Sequence, residues 1–165
     1  MNVPLVYIYK ITRQVDTALI NQQINSYIEI ILQLDMTWSN PNSVSRIHVL
    51  LEAGGKGKIL LELVRHLSPI TFSNIIKTMP ISGRLHFMEH KIGYVETGVT
   101  VGAEKQKSTF KRGDLGFMVS NGSICIVLQD TKGINMNHIG HCIEDPLLLE
   151  SIESGEIIFI KRDSR

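Results

Sequence analysis

The stretch Lys111–Asp130, KRGDLGFMVSNGSICIVLQD, decides the fold. A tight turn around Gly113 leads into a short apolar run, Asp114–Met118. A second turn follows at Asn121-Gly122, and then an apolar strand, Ser123–Leu128. Outward from here the same grammar repeats. Arg84–His90 and Ile92–Glu96 read as short strands before it, and Asn137–Glu144 as one after it. Further upstream, Arg46–Glu52, the turn Ala53–Gly57 and Lys58–Leu63 read as a hairpin.

Two helices interrupt the strands. Ser68-Pro69 is a cap-then-proline start for a helix over Pro69–Met79, with Ile70, Phe72, Ile75, Ile76 and Met79 as its apolar stripe. Pro80 stops it. Asp145-Pro146 repeats the signal before Leu147–Ile152, Gly155 closes that helix, and Glu156–Lys161 is a last strand. Many short strands with two short helices imply a barrel closed by helices, not a doubly wound sheet. The strands lack a clean polar face, which fits a small packed barrel whose outside is partly covered by helices.

The segment before Arg46 differs. Val3–Ile11 reads as a strand. Asp16 can cap a helix to about Leu34 with Leu19, Ile20, Ile24, Tyr27, Ile28, Ile31 and Leu32 at helical spacing. Asp35–Ser45 reads as a loop. Residues 1–45 are thus expected as a strand-helix extension, whose stripe needs a partner surface on the barrel or in a homodimer. Residues 46–165 are expected as the barrel domain.

Composition narrows the function. The chain has 165 residues, 23 of them Ile and only three Ala, which favours β-branched strand packing over long helices. A formal net charge of +1 gives no field to hold phosphate backbones, so nucleic acid is not expected as a partner. No window approaches the roughly 18 apolar residues that would span a membrane. Met1–Ile11 lacks the pattern of a signal peptide. Cys125 and Cys142 lie far apart, so a reduced, cytoplasmic setting is the simpler expectation. Nothing calls for a cofactor.

The conjunction of segments over 46–162 resembles the small cyclophilin-like barrel proteins of archaea and bacteria. RIHVLLEAGGKGKILLEL is similar to the opening strand pair of that family, and SPITFSNIIKTMP to its first helix. RGDLGFMVSNGSICIVLQDT resembles its Gly-Asp-(apolar)-Gly-(aromatic)-(aromatic) strand, turn and apolar strand. HIGHCIEDPLLLESIESGEIIFIKR resembles its closing strand, second helix and last strand. The fold so implied is mainly β: a cyclophilin-like closed β-barrel with two short helices.

The resemblance also implies a groove and, in the isomerases of the family, prolyl isomerisation. The isomerase pattern is broken here. GRLHFMEHKIGY stands where a Phe-His-Arg signature and a Gln-Gly-Gly-Asp run are expected, Gly116-Phe117-Met118 replaces Ser-Met-Ala, and the single Trp, Trp38, lies outside the relevant loop. Rotation about a prolyl amide must overcome roughly 18–20 kcal/mol, so loosely arranged groups would achieve little.

The groove candidates are Arg84, Phe87, Met88, Phe117, Met118 and Ile126. Arg84 can bind a carbonyl or carboxylate, or be a solvated strand-start arginine. Phe87-Met88 and Phe117-Met118 can line an apolar pocket, but alternation sends one member of each pair into the core.

Other constellations have plainer readings. His138-x-x-His141-Cys142 suggests zinc, yet on a regular strand His141 points away from His138. Ala53–Lys58 joins two strands and opens no helix, so it is a hairpin turn, not a phosphate loop. Asp114 reads as a turn-capping carboxylate. Glu104–Arg112, EKQKSTFKR, reads as a solvated basic loop.

Three functions follow. Binding of a peptide or small molecule without isomerase activity is favoured. A divergent peptidyl-prolyl cis-trans isomerase using Arg84 is the alternative, and a subunit or interaction module of a larger enzyme assembly is the third.

Overall fold

The computed structural model describes residues 45–163. The strand, the helix and all but the last residue of the loop expected before Arg46 lie outside that range. Nine strands and two helices run in the order β1 (Arg46–Ala53), β2 (Gly57–Val64), α1 (Pro69–Thr78), β3 (Ile81–Met88), β4 (Ile92–Glu96), β5 (Gln106–Phe110), β6 (Asp114–Met118), β7 (Ser123–Val127), β8 (Thr131–Cys142), α2 (Leu147–Glu150) and β9 (Ile157–Arg162). Among the described residues, no helix is long and apolar enough to cross a membrane.

The strands form an antiparallel barrel in the order β2-β1-β9-β3-β4-β7-β6-β8, closed where β8 pairs back to β2. Alternation fills it. Leu85 faces Val95, Leu115 faces Ile126 and Phe117 faces Ile124 across neighbouring strands, and all six belong to one buried core. Phe72, Ile75 and Ile76 of α1 and Leu149 of α2 join the same core.

Closure depends on one glycine. A side chain on Gly140 would place its Cβ 1.9 Å from the Glu62 carbonyl oxygen, so β2 and β8 approach this closely only because that position has none.

One expectation needs correction. The Glu104–Arg112 segment is not a solvated loop: Gln106–Phe110 is strand β5, paired with β8. Its single aromatic, Phe110, is buried, and that burial holds the otherwise polar segment in place. Beyond its helices, the barrel also has an apolar outer cover carried by strands. Phe110 from β5 and Met136 from β8 pack with Ile92, Cys125 and Val127 in a second apolar cluster. Cys125 and Val127 alternate with Ile124 and Ile126 of the main core, so β7 is buried on both faces. That is why SICIV shows no polar alternation. Gly116 admits this cover, because a Cβ there would lie 2.8 Å from Met136 Sδ.

Candidate functional site

Strand alternation separates the groove candidates. Phe117 and Ile126 are fully buried in the main core, so they fill the barrel and present nothing to a surface groove. Met88 and Met118 are half-buried against the outer cluster. Phe87 and Arg84 reach clefts, but two different ones.

Phe87 lines a cleft of about 520 Å³, within the range of small-molecule sites. Leu128 and Ile152 supply further apolar wall, and His90, Gln129 and Ser154 supply polar groups. Glu150 and Glu153 complete the lining. The residues come from the end of β3, the β3–β4 turn, the segment after β7, and α2 with the loop beyond it.

The β3–β4 turn puts His90 on this cleft by an unusual local choice. Glu89 and His90 both take positive φ, 51° and 55°, and the Lys91 N–H donates to the Met88 carbonyl at 2.9 Å. Met88 pairs with Ile92, so the hairpin loop is three residues long, and Glu89 and His90 are the two central residues of a tight turn within it, of the kind that favours Asn-Gly. Glu-His in both positions costs about 1–2 kcal/mol per residue.

Arg112 builds the wall behind the cleft. Its guanidinium makes a two-pronged contact with Asp145, at 3.1 and 2.6 Å, and reaches Glu150 at 2.7 Å. It also donates to the Leu128 carbonyl. The turn before β6, the end of β7 and α2 are thereby tied together. The paired guanidinium is the main reason that the Asp145 carboxyl is held below the usual aspartate range.

Arg84 lies at the second, smaller hollow of about 260 Å³, with Gly83, His86 and Glu96. Its Nη1 donates to the Gly155 carbonyl at 2.8 Å. Gly155 in turn donates to Leu85 O at 2.7 Å, and Leu85 N to Glu156 O at 2.8 Å. Arg84 therefore helps stitch the 153–156 loop, one wall of the larger cleft, onto β3.

The remaining constellations resolve into packing and turns. Asp114 Oδ2 accepts the Lys111 N–H at 2.9 Å, the turn-capping role read from sequence. Ala53–Gly57 is the β1–β2 hairpin turn. His138 and His141 do not diverge as a regular strand requires. Gly116 pairs with His138 and Leu115 with Gly140, a register shift at β8. Ile139 is buried in the core and Cys142 packs on it three residues later, so the bulge sets His138 and His141 on the same outer side.

His138 Nε2 is 3.9 Å from Asp114, and His141 Nε2 is 3.7 Å from Glu62. Among the described residues, no three His, Cys, Asp or Glu side chains are placed to hold a metal ion. Cys125 and Cys142 are free, and burial is the first cause that pushes each thiol up to about 12. Burial thereby disfavours the thiolate, the nucleophilic form, at both positions.

The sequence over residues 45–161 matches the family model described as cyclophilin-like. The chain belongs to the cyclophilin-like family. Among solved structures, it is similar to the hypothetical protein AF2241 from Archaeoglobus fulgidus, with a TM-score of 0.62 at 19% identity over 72% of this chain and 96% of that one. It is also similar to McbB, solved in complex with tryptophan, with a TM-score of 0.59 at 10% identity over 71% of this chain and 45% of McbB. At these identities the likeness is one of fold. No curated protein matches the sequence. Within the cyclophilin-like barrel, Phe87 is the one groove candidate that lines the larger cleft and Arg84 lies at the smaller hollow, while His90, Gln129 and Glu153 of the larger cleft were not among the candidates. Only the Glu-His hairpin, with its wrong residues for its turn type, left a local signal.

Proposed function

We propose that this cyclophilin-like protein binds a peptide or a small molecule in the 520 Å³ cleft beside the β3–β4 turn, and that it does not catalyse prolyl isomerisation. The observation that carries the reading is the separation of the two clefts. The larger cleft holds the apolar wall of Phe87, Leu128 and Ile152, whereas Arg84 sits in the small polar hollow and donates to Gly155 O. Isomerisation needs an arginine aimed at a prolyl amide beside an apolar pocket for the ring. Here the arginine is held by the protein's own backbone. The missing Gln-Gly-Gly-Asp run and Ser-Met-Ala triplet support the same reading.

A proline-peptide isomerisation assay tests it, with the expected rate at the uncatalysed background for wild type and Arg84→Ala alike. A rate typical of cyclophilins, abolished in Arg84→Ala, would establish the divergent isomerase instead.

A further inference from the structure

We propose that the occupant of the large cleft is an organic cation: a primary ammonium or guanidinium group carried on an apolar body. The inference rests on reading that cleft as the binding site and adds the charge of what it binds.

Charge around the cleft is unevenly spent. Glu150 is paired with Arg112 at 2.7 Å, and Asp145 adds a second carboxylate to the same guanidinium. Glu156 is paired with Lys56 at 2.5 Å, and Glu89 faces Lys91 at 3.6 Å. Glu153 is different. Its backbone N–H and carbonyl are hydrogen-bonded to Glu156, yet among the described residues its carboxylate has no ion pair or hydrogen bond while it lines the cleft. Arg112 is already outnumbered by its two carboxylates, and Arg84, which donates to Gly155 O on the same loop, lies at the separate smaller hollow. Among the described residues, the lining carries two carboxylates and no Lys or Arg, so an incoming anion would meet negative charge. A purely apolar guest would take water from Glu153 without replacing its hydrogen bonds. A cation satisfies that carboxylate. Phe87, Leu128 and Ile152 take the apolar body, and an aromatic side chain in the lining suits a cation.

The test is amide chemical-shift titration of the full chain with three probes of one shape: 2-phenylethylammonium, 2-phenylethanol and 3-phenylpropionate. A fourth probe, a short end-blocked peptide with one lysine, separates a peptide side chain from a free amine. The ammonium should move the amides of His90, Gln129 and Ser154 and bind most tightly. Glu153→Gln should weaken it about three- to tenfold and abolish its preference over the alcohol. That variant should melt with wild type, since the Glu153 side chain holds nothing. Equal binding of alcohol and ammonium, or tighter binding of the carboxylate at the same residues, overturns the cation while leaving the cleft as a binding site. Failure of all four probes to move these residues overturns both readings.

Discussion

At the scale of single residues, the barrel turns on Gly140. Its Cβ-less backbone lies against Glu62 O at the seam where β8 closes onto β2. Gly140→Ala should destabilise the fold by about 3 kcal/mol or more, since the obstacle is backbone and cannot swing aside. Chemical denaturation of variant and wild type measures this, and a loss under about 1 kcal/mol would show that the seam can open to accept a methyl group. The same glycine explains a misreading. Regular alternation puts His138 and His141 on opposite faces, and a bulge is invisible to a two-residue period. Gly140 in the middle of an apolar strand was the available hint.

At the scale of elements, α1 depends on a residue far from it in sequence. Ser68 precedes the helix but makes no capping hydrogen bond, its hydroxyl donating to His138 O at 2.8 Å instead. Glu104 caps from a distance, accepting the N–H groups of Ile70 and Thr71 at 2.9 and 3.0 Å and the Thr71 hydroxyl at 2.9 Å. Buried Asn137 completes the junction, accepting Glu104 N–H and donating to Thr71 Oγ1 and Gly102 O. Burial raises the Glu104 pKa, but the three donors outweigh it, and the carboxyl ends below its usual range.

A folded-state value below the unfolded one means that the stabilisation is complete above the ordinary glutamate range and is lost as pH falls through the folded value. Glu104→Gln should therefore lower stability by about 1–2 kcal/mol at neutral pH. Thermal melts at falling pH should show the gap to wild type closing as pH drops below the ordinary glutamate range. A gap that stays constant with pH would mean that ionised Glu104 is not the cap.

The strand runs with two or more apolar residues between turn signals were legible: Ile92–Glu96 and Asp114–Met118 occur with the bounds their sequence implies. β5 was not, because Glu104–Arg112 offers one apolar residue, Phe110, among eight polar or charged ones. The first half of β8 was missed for a similar reason. In Thr131–Met136, Lys132 and Gly133 are exposed, and the segment gains its place only by pairing with β5.

At the scale of the whole molecule, the cyclophilin-like barrel draws its strands, its helices and its closed core from residues 46–162. We expect a fragment of residues 45–165 to fold by itself, giving a dispersed amide spectrum and one cooperative melt. A collapsed spectrum would place part of the barrel's stability outside those residues. The architecture was legible because order and spacing of strands and turns are properties of the chain. The cleft was not, because Phe87, His90, Leu128 and Glu153 meet only after folding, and none carries a motif.

The barrel's seam has a further consequence in time. β1 pairs with β9, setting Val49 against Arg162, so the second strand partner of β1 is made more than a hundred residues later. Contacts between such distant segments carry a large loop-closure cost and slow folding. Before β9 is made, the other barrel strands can pair only as an open sheet, running from β1 through β2, β8, β6, β7 and β4 to β3, with the slot for β9 empty between β1 and β3. A nascent chain cut off before Ile157 exposes both of those strand edges at once. For such a chain, association with other chains competes with waiting, and the last six-residue strand decides between a finished barrel and an aggregate.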